Sequence, residues 1–316
     1  MALRNSIFAV SGKASFLDAR RDMSGLFVCD KTTMLPVAGI LDRSQDNLVT
    51  GRGDSMSVTV HPFNAVLNRY GALLIQNDGN VNVPLAAAPS ANSRIDVVYV
   101  KQNETRSPMS DGSDVPEFGV VNGTVAAVPV APAVPDGALA LAQVLLPAGV
   151  SNTAASGVVI TQTYIGAAMK GDMLLVQTSD QRDAMTGVPE GTLLHNVADG
   201  CDYVRKGDKW RGWNMPWKDI HLNNHVAHMW ASCGTAHINL TTANVNLTGW
   251  GSSVTVAQVN NSRFYPAVKA DIYAPMRDSY YPTALSVGTD GKVNAGYAGG
   301  ATGNRIVSTT LTYNIG

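Results

Sequence analysis

Pro89-Ser90-Ala91-Asn92-Ser93-Arg94-Ile95-Asp96-Val97-Val98-Tyr99-Val100 is the stretch whose reading decides the fold. A turn cluster runs straight into an apolar stretch of β-branched and aromatic side chains, the pattern of a buried strand. A second such run closes the segment: Val134-Pro135-Asp136-Gly137-Ala138-Leu139-Ala140-Leu141-Ala142-Gln143-Val144-Leu145-Leu146-Pro147-Ala148-Gly149. Between them Lys101–Asp114 is too rich in Ser, Asp, Asn and Pro to be core. Two buried strands flanking a surface loop read as one β-sandwich module. Arg94 and Asp96 lie two apart, so on a strand they share a face and can pair.

Working outward toward the N-terminus, Gly39–Asp42 and Asn47–Thr50 read as short strands, and Ala19–Val28 as an arm or strand that docks on a neighbour. Met56–Leu67 alternates, Tyr70–Gln76 follows, and Asn77-Asp78-Gly79-Asn80 is a strong turn signal before Val81–Leu85. Together these predict a hairpin packed on the Arg94 strand. Pro129, Pro132 and Pro135, three apart, favour polyproline-like extension. The neighbouring Val125, Val128 and Val130 call for burial, so this stretch is expected to be a loop crossing the sandwich.

Toward the C-terminus, Ser179 or Asp180 can cap one helical turn over Gln181–Met185. Gly191–Trp213 reads as three short strands with tight turns at Asp199-Gly200 and Gly207-Asp208. Beyond residue 216, alternation in His237–Leu247, Ser253–Val259, Asp271–Pro275, Thr283–Val287, Gly291–Ala295 and Ile306–Ile315 predicts many short strands. Thr289-Asp290-Gly291-Lys292 is a hairpin turn. Strands of this length and spacing argue an all-β sandwich or jelly roll.

The residues of the deciding stretch also carry a family likeness. Asn92, Arg94, Ile95, Asp96 and Val98, then Pro132, Pro135, Gly137, Ala138, Leu139, Leu141, Ala142, Val144, Pro147 and Gly149, resemble a recurrent module of tailed-bacteriophage receptor-binding, minor tail and baseplate proteins. Gly191, Tyr203, Gly207 and Trp210 resemble the small β-unit that links the docking part of such proteins to their distal part. The resemblance implies an all-β chain: an N-terminal arm and docking β-sandwich over 1–165, a linker with a small β unit over 166–215, and a C-terminal β-sandwich, jelly-roll-like head over 216–316. It also implies a homotrimer, with other phage tail or baseplate proteins as partners of residues 1–165. The charge-poor stretch Gly212–His237 is a candidate for the trimer axis.

Composition is compatible with that context. The chain has 316 residues, 45% of them hydrophobic and only 15% charged, so Asn, Ser, Thr and Gly must cover much of its surface. A net charge of −1 gives no long-range pull toward nucleic acid or an anionic membrane. No apolar run approaches the ~20 residues that a spanning helix needs, so no membrane insertion is expected. Met1–Gly12 has no long apolar core of a secretory signal; synthesis in a host cytoplasm and assembly into a virion, at the tail tip or baseplate, is the expectation. Cys29, Cys201 and Cys233 are far apart and imply neither a disulfide framework nor a metal site; buried reduced thiols are expected.

Several constellations could carry chemistry. His221, His225 and His228, with His237 beyond, would share a helix face and could meet one metal. Leu222, Asn223 and Asn224 stand where a zincin needs its glutamate, and polar lining of a trimer axis is the simpler role; no cofactor is predicted. Cys233 and His237 have no orienting third group. Beyond residue 219 the only acidic residues are Asp271, Asp278 and Asp290, with no glutamate. Glycoside hydrolysis needs two facing carboxylates, so no catalytic residues are assigned and an enzyme is not expected. Arg52-Gly53-Asp54 is an integrin-type tripeptide, but Gly between charges is first a turn signal.

For binding, the last domain offers Trp230, Trp250, Phe264, Tyr265, Tyr273, Tyr280, Tyr281 and Tyr297, with Asn260, Asn261, Arg263 and Arg277. Sugars need flat apolar faces, planar polar groups and few charges. Most of these aromatics are needed in a core, so the loops Asn260–Tyr265, Arg277–Pro282 and Tyr297–Arg305 are preferred. Arg277, Tyr280, Tyr281, Arg263 and Tyr297 are the predicted ligand-binding residues. The expected function is attachment to a host cell-wall saccharide by multivalent non-covalent binding. A purely structural tail or head-decorating component is the alternative, and a depolymerase the third reading.

Overall fold

The computed structural model describes residues 15–41, 47–220, 222–223, 225–248, 252–276, 279–297 and 303–316, with side chains left out at 241–244, 274–276, 279–283, 297 and 304–305. The protein is all-β, with two short α-helices among the described residues. It divides into two compact units, residues 1–177 with 187–192 and residues 178–186 with 193–316.

The first unit begins with a helix, α1 (Phe16–Ser24), where an arm or strand was expected. The reason is local. Ser15 accepts the amide of Asp18, and the Asp18 carboxylate accepts the amide of Ser15, a capping box that satisfies two otherwise orphaned donors. The strands that follow are β1 (Gly39–Ile40), β2 (Val49–Gly51), β3 (Ser57–Val60), β4 (Phe63–Asn68), β5 (Ala72–Asn77), β6 (Val81–Pro84), β7 (Ser93–Gln102), β8 (Pro116–Val121), β9 (Leu139–Pro147), β10 (Val159–Gln162) and β11 (Met173–Val176). β1 to β10 form small sheets ordered β1-β4-β5, β2-β3-β6 and β10-β9-β7-β8.

The expected hairpin on the Arg94 strand is therefore redistributed. β5 and β6, joined by the Asn77–Asn80 turn, belong to different sheets, because β6 pairs with β3 and β5 with β4. A shared core of Ile40, Leu48, Val60, Phe63, Val98 and Leu141 lies among the sheets. The two strands of the deciding stretch do pair, β7 against β9, with Arg94 opposite Leu146 and Asp96 opposite Val144. Arg94 and Asp96 do share a face: Arg94 Nε donates to Asp96 Oδ1 at 2.9 Å, in a site from which Asp96 has no exposure at all. Arg94 also donates to the carbonyls of Ala86 and Ala87, and Asp96 accepts the amide of Gly123. The pair thus ties three chain segments together.

The Val125–Val130 expectation is corrected. Val128 and Val130 are 82% and 78% exposed and Val125 is exposed as well. Ala126 makes a single bridge to Ser93 of β7, and that contact leaves the valines on either side uncovered.

In the second unit, α2 (Ser179–Ala184) is capped by Thr178, one residue before the expected cap. Its strands are β12 (Leu193–Asn196), β13 (Cys201–Lys206), β14 (Lys209–Asp219), β15 (Val226–Ser232), β16 (Thr235–Leu247), β17 (Ser253–Gln258), β18 (Ala270–Met276), β19 (Ser279–Val287), β20 (Lys292–Tyr297) and β21 (Gly303–Asn314). They run in the order β12-β13-β14-β15-β16-β21-β18-β19-β20-β17. The turns predicted at Asp199-Gly200, Gly207-Asp208 and Thr289–Lys292 join antiparallel neighbours as expected.

Candidate functional site

The strands β14, β15 and β16 present one side to the core and the other outward, and their sequence sets which is which. Ala227, Met229 and Ala231 of β15, Ala236, Ile238 and Leu240 of β16, and Leu311 and Tyr313 of β21 are buried. With a side-chain period of two, His228 and Trp230, His237 and Asn239, and Thr310 and Thr312 fall on the opposite face. The β15–β16 turn is Cys233-Gly234, both at positive φ (49° and 77°), the backbone of a two-residue hairpin whose twist matches its strands. It sets Trp230 directly opposite His237 and His228 opposite Asn239. In β14 the ladder slips between Met215 and Lys218, and the irregularity turns Trp217 outward.

The result is a ribbon of four rings. Trp217 stacks on Trp230 with centroids 5.0 Å apart and planes 18° apart, and on His228 at 4.9 Å and 30°. Trp230 stacks in turn on His237 at 5.0 Å and 14°. These spacings equal the distance between adjacent strands, so the stack is a cross-strand ladder. Inner ring faces are spent on one another; Trp217, at 55% exposure, keeps the most open surface. Leu222 and Val226 are exposed nearby in sequence.

Polar groups frame the ribbon. His228 Nδ1 meets Asp219 Oδ1 at 2.5 Å, and His237 Nδ1 meets Thr312 Oγ1 at 3.1 Å. Asn239 Nδ2 donates to Thr310 Oγ1 at 3.4 Å. Lys218 is turned away, donating to the Asp199 carbonyl and lying 3.6 Å from Cys201 Sγ. The surface offers indole edges and one open indole face, hydroxyls, an amide and a single carboxylate. That chemistry suits a neutral, hydroxyl-rich ligand, held by ring-to-C–H contact and hydrogen bonds.

Of the predicted ligand-binding residues, Arg263 is engaged internally: it donates to Asp183 at 3.1 Å and to the Trp210 carbonyl at 3.5 Å. It lies in the 3-10 turn Ser262–Phe264, which Asn261 caps. Arg182 and Arg263 beside Asp183 hold that carboxyl below the ordinary carboxylate range. Arg277 lies outside the described residues. Tyr280 and Tyr281 belong to strand β19 and Tyr297 ends β20, so these three are strand residues and not loop residues; their side chains lie outside the description.

Among the histidines, His221 lies outside the described residues. His225 donates its amide to the Leu222 carbonyl just before β15. His228 and His237 enter the ring ladder. Among the described residues no group of three or more His, Cys, Asp or Glu is arranged to hold a metal. Cys233 sits in its hairpin turn, exposed. Cys201 is fully buried, and its burial pushes the thiol up to about 11. In the Arg-Gly-Asp tripeptide, Arg52 Nε donates to Asp54 Oδ1 at 3.0 Å, so the two charged ends of the motif face each other across a turn.

Sequence reasoning offered Trp230 among the binding aromatics but preferred the loops to it, and passed over Trp217. A signal was present. His228-Met229-Trp230 puts two planar rings at i and i+2 with an apolar residue between, and Cys233-Gly234 folds His237 back beside them. No family model matches this chain, and no curated protein sequence matches it.

Proposed function

We propose that the chain is a receptor-binding protein of a phage tail, attaching the virion to a host cell-surface saccharide by multivalent non-covalent contacts. In this reading residues 1–165 are the arm and docking β-sandwich, 166–215 the linking unit, and 216–316 a β-sandwich head. The phage-module resemblance of Asn92–Gly149 supports the virion context. The observation that carries the saccharide reading is the exposed ladder of Trp217, Trp230, His228 and His237, framed by Thr310, Thr312 and Asn239 on a surface almost free of charge.

One such ribbon binds weakly, because much of its ring surface is already stacked. Attachment then depends on copy number: linking sites in a homotrimer, and trimers in a particle, raises avidity by about 10² to 10⁴ without any new contact. The chemistry needed is recognition alone, with no bond broken.

The exposed Leu222 and Val226 favour a second reading, in which the same surface is covered by another virion protein and the chain is purely structural. Titration of the full chain against purified host cell-wall polysaccharide separates the two. Saturable binding that Trp217→Ala abolishes supports adhesion. Absence of binding by the intact chain supports architecture, and release of reducing ends would replace both readings with a depolymerase.

A further inference from the structure

Asn122-Gly123 is the only Asn-Gly dipeptide in the sequence. It lies just beyond β8, where the chain continues alongside β7. Val121 is opposite Val97 and Ala126 bridges to Ser93, so the four residues 122–125 pass the three residues 94–96. The extra residue makes a bulge. Asn122 is exposed there. Gly123 is pressed onto β7: a Cβ would stand 2.1 Å from the Ile95 carbonyl oxygen, so only glycine fits.

That fit leaves an intrinsically reactive pair, because no side chain on Gly123 shields its own nitrogen. Once this nitrogen gives up its proton to hydroxide, it can attack Cγ of Asn122. The new N–Cγ bond closes a succinimide ring and the Cγ–Nδ2 bond breaks. The departing amide takes a proton from water and leaves as ammonia, which restores the hydroxide. Water then opens either ring carbonyl, returning the chain as aspartate or as isoaspartate. The isoaspartyl chain carries one extra main-chain carbon before Gly123.

The fold guards the attacking nitrogen. The Gly123 N–H is donated at 3.0 Å to Oδ1 of Asp96, a side chain with no exposure whose charge is held by Arg94. A proton held on a buried carboxylate is out of reach of hydroxide, and the nitrogen behind it is tethered to β7. Downstream, Ala126 donates its amide to the Ser93 carbonyl at 2.9 Å and accepts the Ser93 amide at 3.3 Å. Reaction therefore needs this stretch to open first.

We propose that Asn122 is a self-modifying site gated by the Arg94–Asp96 pair. Conversion follows the opening of the Gly123–Asp96 hydrogen bond, and the isoaspartyl product, with its longer main chain, leaves that bond unmade. The site belongs to the first unit and stands apart from the saccharide reading.

The test follows the full chain by peptide-mapping mass spectrometry during incubation at mildly alkaline pH, with the free peptide of residues 120–125 as reference. Conversion at Asn122 in the native chain is expected to be at least about tenfold slower than in the peptide. Through sub-denaturing urea, conversion and hydrogen exchange of the Gly123 amide should rise in proportion. Asp96→Asn removes the charge that holds the proton and should speed both; the urea series on the wild-type chain is decisive if this variant does not fold. The purified isoaspartyl chain should exchange its Gly123 amide at least about tenfold faster than the parent. Conversion as fast in the native chain as in the peptide overturns the proposal. So does conversion that does not track exchange, or an isoaspartyl chain whose Gly123 amide is as protected as before.

Discussion

The indole of Trp217 lies on that of Trp230, 5.0 Å away and 18° from parallel, at the point where the ladder between β14 and β15 slips. Without that slip, strict alternation over 215–219 would not bring this indole onto the row formed by Trp230 and His237. A backbone irregularity thus builds the ribbon, and the aromatic contacts follow from it.

Trp217 is therefore separable from folding. Its residue is more than half exposed, and an aromatic pair of this kind adds about 0.5–1.5 kcal/mol. Trp217→Ala should cost about 1 kcal/mol or less in denaturant titration while lowering polysaccharide affinity at least about tenfold by calorimetry. Trp210, 1% exposed, is the control: truncation there should cost about 3–5 kcal/mol.

The Arg94–Asp96 pair should behave oppositely, as architecture. Asp96→Ala leaves a guanidinium buried without its counter-charge and orphans the Gly123 amide. A loss of about 3–5 kcal/mol is expected from removing one member of a buried pair. The check is the unfolding transition of the first unit in urea, followed through the exchange of β7 amides.

Acid should loosen the first unit through Asp111. Lys101 foremost, and Arg69 with it, hold this carboxyl down to about 2 from an ordinary 3.8. A carboxyl with a lowered folded-state value contributes stability above about pH 4, and that contribution disappears as pH falls toward 2. Stability measured between these limits should drop in the wild type. Asp111→Asn should flatten this part of the profile and lower stability near neutral pH.

Thiol chemistry should be confined to one residue. Cys233 is exposed in its turn, whereas Cys29 and Cys201 are buried and burial raises both thiols, Cys201 to about 11. Iodoacetamide followed by mass spectrometry should label Cys233 in the native protein and the other two only after unfolding.

Legibility varied with the range of the forces involved. β7 and β9 were readable as apolar runs, β15 was not read as a strand, and alternation in β16 and β21 was readable because burial on one face imposes period two on adjacent residues. The Arg94–Asp96 pair was readable for the same reason. Tight turns such as Thr289–Lys292 announced themselves through residues that tolerate positive φ. Helix α1 was missed although Ser15 and Asp18 spell a capping box, since the apolar Leu26-Phe27-Val28 beyond it drew the segment toward a strand. The valines at 125, 128 and 130 were expected to be buried within a crossing loop on hydrophobicity alone, yet all three are exposed.

What the amino-acid order determined by itself was local: the all-β class, the shared face of Arg94 and Asp96, the turns, and the scarcity of charge beyond residue 219. Those follow from interactions between residues a few positions apart. Only the tertiary structure decided which strands become neighbours: that β5 and β6 part into separate sheets, and that Trp217, Trp230 and His237 fall into one row. Strand pairing joins residues distant in sequence, and its register depends on a slip in β14 and on packing against the whole sheet, neither of which is written in any single stretch.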